Sequence, residues 1–166
     1  MNEVDLLEQR VNELVEEIKK LREKQQEQKV QRWRAKEGEI YWIVTTSGEA
    51  GYDREECDNI DDSRYSIGNY FASKQDVEQH IKNLKTKQKL KDLALELNKG
   101  KEMDWEDSRQ CKHIIVYDKN HHKLGLGGSY CVMEMGQVYC LDNDFLKKAL
   151  TVIGEEDLID LIKSGV

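Results

Sequence analysis

A chain of 166 residues, 36% charged and 38% hydrophobic, has room for one ordinary domain plus an appendage. Its net charge of −7 argues against general nucleic-acid binding, which calls for a basic face. No run approaches the roughly 18 apolar residues of a bilayer span, and the acidic start lacks the cationic and apolar regions of a secretory signal. No membrane partner and a cytoplasmic location are therefore expected. Cys57, Cys111, Cys131 and Cys140 show no C-x-x-C spacing and are expected as free thiols.

The first element is the most regular. Val4, Leu7, Val11, Leu14, Ile18 and Leu21 are spaced 3, 4, 3, 4, 3, with β-branched residues at every a position and leucine at every d. That combination favours a parallel two-stranded coiled coil. Residues 1–32 are expected as an oligomerisation helix, with self as a partner and a parallel homodimer as the leading state. Glu17 at g suits Arg22 at e of a second chain, whereas Glu3 and Glu8 repel in the same geometry. Val15 and Leu6 widen the stripe, so a trimer, a tetramer or packing onto the body stays open.

Residues 33–166 are expected as an α+β body. Glu39 to Thr46 (EIYWIVTT) reads as a strand, Ser47-Gly48 as a turn, Glu49 to Asp62 as an acid-rich loop, and Arg64 to Phe71 (RYSIGNYF) as a second strand. Ser73, with Asp76 three residues on, is a good N-cap for a helix carrying Val77, Ile81 and Leu84. The apolar stripe breaks at Lys85 to Lys89 and resumes at Leu90, predicting a kink or two halves packed against different neighbours. Asn98-Lys99-Gly100 ends that helix. His113 to Tyr117 reads as a strand, Asn120-His121-His122 as a turn, and Tyr130 to Met135 and Gln137 to Leu141 as strands. A helix capped by Asp142 or Asn143 and ended by Gly154 follows, then a short final helix. At an offset of 69, Tyr70 matches Tyr139, Ser73 matches Asp142, Val77 matches Leu146 and Ile81 matches Leu150. Two strand–loop–strand–helix pseudo-repeats, about 38–98 and 111–163, are the expectation.

The stretches EGEIYWIVTTSGE and DDSRYSIGNYFASKQDV carry a resemblance. Trp33, Gly38 and Glu39 match an opening of the W-x-x-x-x-G-E type. Arg64, Gly68, Asn69, Phe71 and Ser73 match a segment like R-x-x-x-G-N-x-F-x-[ST], with Val77 where alanine is frequent. In these features the chain resembles a widespread group of uncharacterised phage and prophage accessory proteins of Gram-positive bacteria. The resemblance covers about Trp33 to Lys85 well and the C-terminal half loosely. It implies a mobile-element origin, and a host-cell cytoplasmic location if the chain is phage-encoded, but no activity.

Several groupings of chemistry-bearing residues remain. The acidic positions Glu49, Asp53, Glu55, Glu56, Asp58, Asp61 and Asp62 form either a solvated loop or a negative face for a basic partner or cation, without the EF-hand pattern. Tyr41 and Trp42 alternate to opposite faces, so one of them beside Arg64 could stack on a base or anchor a protein. His113, His121 and His122 with Cys111 lack the two tight pairs of a zinc site, and no cofactor or metal is expected. Cys111 and His113 share a strand face but have no evident orienting group. Gly125-Leu-Gly-Gly-Ser129 lacks a P-loop lysine and reads as a glycine-rich hairpin or bulge. Together these point to a non-enzymatic accessory protein. It would be oligomeric through its coil and would bind, and inhibit or modulate, a host protein such as an antiviral defence or regulatory factor. A binder that sequesters a nucleotide signal is the alternative, and a metal-dependent hydrolase the second alternative.

Overall fold

The computed structural model describes residues 10, 11, 13–19 and 32–165. Residues 10, 11 and 13–19 are helical, braced by ion pairs Arg10–Glu13 (2.9 Å) and Glu16–Lys19 (2.7 Å). Val11, Leu14, Val15 and Ile18 lie exposed along this helix. The heptad positions Val4, Leu7 and Leu21 lie outside the described residues.

The body is mixed α+β, with two separate antiparallel hairpins and four helices among the described residues. Strand β1 (Ile40–Val44) pairs with β2 (Ala50–Arg54), Trp42 opposite Tyr52, around a turn in which the Thr45 amide donates to the Glu49 carbonyl (2.8 Å). The acid-rich stretch is therefore not a loop, since its first part is β2. Its second part starts helix α1 (Asn59–Ser66), and this corrects the expectation of a strand from Arg64 to Phe71. The cause is a capping box. The Asp58 carboxylate accepts from the Ile60 and Asp61 amides at 2.8 and 3.0 Å, and Asp61 reaches back to the Asp58 amide. Extended pairing survives only at Phe71, which forms an isolated antiparallel bridge with Trp42.

Helix α2 (Lys74–Asn98) begins at Ser73, whose hydroxyl accepts from the Asp76 amide, and ends at Lys99 in the left-handed conformation. It runs unbroken for 25 residues, about 37 Å at 1.5 Å per residue. Of the two expected outcomes the helix shows the second, its halves packed against different neighbours: His80 meets Phe71 beside the first hairpin, whereas Leu90, Leu93 and Ala94 enter the C-terminal cluster. Asn83 and Thr86 take buried positions between Val77 and Leu90, with Asn83 bonded by Gln79 at 3.0 Å. Helix α2 packs against both strands of the first hairpin and against both C-terminal helices.

Strand β3 (Lys112–Asp118) pairs with β4 (Lys123–Ser129) across the predicted Asn120-His121-His122 turn. The glycine-rich stretch is thus a strand. A Cβ at Gly127 would stand 3.1 Å from the Ile114 and Val116 side chains, which fill the space that glycine leaves. The expected strand over Tyr130 to Met135 is irregular backbone, and the one over Gln137 to Leu141 shrinks to a bridge between Cys140 and His113. Helix α3 (Phe145–Val152) starts after Asp144 and not after Asp142 or Asn143. The Asp142 carboxylate accepts from the Asp144 amide (2.7 Å), and Asp144 supplies no side-chain bond. Gly154 then leads into α4 (Glu155–Ser164).

Two clusters form the interior. Leu90, Leu93, Ala94, Ile115, Cys140, Phe145, Ala149, Leu158 and Leu161 make one, and Ala35, Tyr41, Ile43 and Tyr70 the other. No helix among the described residues is long and apolar enough to cross a membrane.

Candidate functional site

The aromatic and acidic residues singled out in the sequence converge, but inward. Alternation along β1 turns Tyr41 to the covered face, where its ring stacks on Tyr70 with centroids 3.9 Å apart and planes 9° apart. The Tyr41 hydroxyl donates to Asp61 Oδ1 (2.5 Å) and accepts from Arg64 Nη1 (2.7 Å). Arg64 also pairs with Asp53 (2.5 Å). The Tyr70 hydroxyl donates to Glu55 and accepts from the Ala35 amide (3.2 Å). Arg34 then pairs with Glu55 (2.8 Å) and Asp62 (2.7 Å). One network thus runs from Asp53 through Arg64, Tyr41 and Asp61, and a second, joined to it by the ring stack, from Tyr70 through Glu55 to Arg34.

This geometry fixes the charge states. Arg64 hydrogen-bonds Asp53 and holds its carboxyl below the ordinary range. Arg34 does the same for Glu55 against the opposing effect of burial. Burial pushes the Asp61 carboxyl up, but the Tyr41 hydroxyl and the Glu56 and Asp58 amides outweigh it and leave it lowered. Burial and the bond to Asp61 push the Tyr41 phenol up to about 12. At neutral pH the three carboxyls are ionised and the phenol protonated, so none is poised to exchange a proton near pH 7.

Of the nine candidate binding residues, Tyr41, Glu55 and Asp61 are buried and Arg64 is half-buried between two partners. Asp53 and Asp62 are exposed but paired with Arg64 and Arg34, Asp58 caps α1, and Glu56 is exposed. Trp42 faces the other way and meets exposed Tyr52 edge-on at 5.6 Å. Arg34 and Tyr52 were missed. The register that sets Tyr52 opposite Trp42 was the available signal for the latter.

The motif behind the family resemblance is likewise structural. Gly68 has φ +83°, a conformation that glycine adopts without strain. Asn69 then places its side chain where a strand would run, Oδ1 accepting from the Val44 amide (2.7 Å) and Nδ2 donating to the Val44 carbonyl (2.9 Å).

Elsewhere, Cys111, just before β3, and His113 within it bring Sγ to 3.9 Å from Nδ1, and no described side chain bonds the other ring nitrogen. His121 and His122 turn to different partners, Asp118 (2.6 Å) and Tyr117 (3.2 Å).

The 130–135 segment forms a second surface. Tyr130, Val132, Met133 and Met135 are all exposed, Met135 completely. Their backbone is nevertheless pinned. Lys112, fully buried under Trp105, donates its ammonium to the Tyr130 carbonyl (2.9 Å). The Ser129 hydroxyl donates to the Val132 carbonyl (2.6 Å), and the Glu134 amide donates to the Tyr139 hydroxyl (2.7 Å). Apolar side chains held outward on a fixed backbone suit contact with another macromolecule. Comparison of the chain with protein-family models, curated proteins and solved structures finds no match.

Proposed function

We propose that the protein is a non-enzymatic accessory binding protein of the phage type, self-associated through its N-terminal heptads, that binds and modulates a host protein in the host cytoplasm. The observation that carries this reading is the division of chemistry in the body. The ionisable residues of the first hairpin satisfy one another, while large apolar side chains stand in solvent on the 130–135 segment. Exposed Val11, Leu14 and Ile18 at 3 and 4 spacing support association of chains side by side. The shared plan of the two hairpins supports descent from a duplicated unit. In each, the first strand takes an antiparallel bridge from a segment that leads into a helix, Trp42 from Phe71 and His113 from Cys140.

A nucleotide site built on Tyr41 and Arg64 would require both to leave Asp61 and Asp53, which argues for the protein-binding function over that alternative.

Light scattering at micromolar concentration should give a multiple of the 19.4 kDa chain mass, and Leu14→Asp with Ile18→Asp should reduce it to one chain. The intact protein should retain one host protein in fixed stoichiometry, and the double variant should retain it more weakly. A wild-type particle of one chain mass, or retention of nothing above background, would refute the proposal.

A further inference from the structure

We propose that a groove along the C-terminal half of α2 receives an acidic amphipathic helix of the partner, an inference that rests on the protein-binding function proposed above. Two depressions, about 180 and 280 Å³, lie on either side of Gln137 and Val138. Leu90, Leu158, Leu161 and Met135 line the first, with Lys87 beside them. Ala94, Leu95 and Met103 line the second, with Lys91 beside them. Lys87 and Lys91 are four residues apart on one helix, as are Leu90 and Ala94. The two depressions thus take their α2 walls from successive turns of one helix, the order in which i and i+4 side chains of a bound helix would enter them.

Charge names the flanks of that helix. From Lys82 to Lys91 the sequence holds five lysines and no carboxylate, within a chain of net charge −7. Lys82 is held by Asp157 (2.8 Å) and Asp160 (3.0 Å) of α4. Lys85, Lys87, Lys89 and Lys91 form no ion pair with the described residues, and of these Lys87 and Lys91 border the depressions while Lys85 and Lys89 fall on the far side of the helix. A phosphate backbone would satisfy the lysines but not the two apolar depressions. Leucine-sized anchors four apart, flanked by glutamate or aspartate, satisfy both. The pinned segment that ends in Met135 forms one wall, so little ordering is needed on binding, and Met135 adapts to the anchor's shape.

The test is fluorescence anisotropy with the full chain and a labelled helical peptide carrying leucines at i and i+4 among glutamates. Saturable binding is expected. About tenfold weaker binding is expected when the glutamates become lysines, when the leucines become alanines, and in the Lys87→Glu, Lys91→Glu variant. Circular dichroism checks that this variant is folded, and Leu95→Ser, at an exposed position, weakens the apolar contact without touching charge. Absence of saturation, equal binding of the lysine peptide, or tighter binding of a labelled single-stranded DNA would each overturn the proposal. So would a drop in oligomer mass in the lysine variant, because a second copy would then be the occupant. A chain that stays single yet binds the peptide refutes the oligomer and keeps the groove. An oligomer that ignores the peptide refutes the groove alone.

Discussion

Around β1 and β2 an aromatic and ionic set is buried beside Ile43 and Ala35, Tyr41 on Tyr70 with Glu55 and Asp61 beneath. Around β3 and β4 the cluster is mostly aliphatic, with Leu90, Leu93, Leu158 and Leu161 closing on Ile115 beside Phe145 and Cys140, and buried Lys112 is held by backbone carbonyls. Hydrogen-bonded charge is directional and depends on protonation. Apolar burial depends on area and fit, and responds little to pH. Two hairpins of similar plan are thus held by different physics, and substitutions should separate them.

The largest loss is expected in the aliphatic half. Phe145→Ala removes a fully buried ring and should cost about 4 kcal/mol in urea unfolding. A cost below that of any change in the ionic network would reverse the ranking of the two halves.

Glu55→Gln keeps the shape but removes the charge beneath Tyr70, and should cost about 2 kcal/mol. The same network sets the acid limit. Glu55 and Asp53 have lowered pKa values in the folded chain, so their contribution is fully present above the ordinary carboxylate value of about 4 and is lost as pH falls through the folded values. The lowered carboxyls of the other half, Asp107, Asp118 and Asp142, sit in surface turns and contribute little. With Trp105→Phe as background, fluorescence of Trp33 and Trp42 should report acid unfolding around the first hairpin. Glu55→Gln should flatten that pH dependence, and an unchanged profile would remove the carboxylate from the account.

The smallest effect is Ser73→Ala, about 1 kcal/mol through loss of the α2 cap. Because α2 serves both halves, amide exchange should quicken in both. Quickening in the first half alone would mean that the helix does not couple them.

Much of this architecture was legible in the sequence where a local signal and tertiary packing agree. Ser73 with Asp76, the Lys99-Gly100 stop and the alternation of β1 appear where expected. RYSIGNYF alternates like a strand yet begins as helix, because Asp58 and Asp61 form their capping box inside what looked like a plain acidic run. The α2 stripe changes face because its two halves serve different neighbours, and Asn83 and Thr86, buried between them, are polar positions that a search for apolar spacing passes over. Which of the candidate carboxylates Arg34 and the tyrosines draw inward depends on contacts made over 15 to 23 residues of chain, beyond any local pattern. The 130–135 segment was misread because its apolar residues imitate a strand, while the lysine that pins it lies 18 positions away.

Helix α2 also settles how the molecule comes apart. Its first turns lie on one hairpin, where Phe71 meets His80, and its last turns supply Leu90, Leu93 and Ala94 to the interior of the other. A protease nick between Gly100 and Lys101 would therefore leave two fragments that remain associated until denaturant parts them. Each would regain its shape only in the company of its complement.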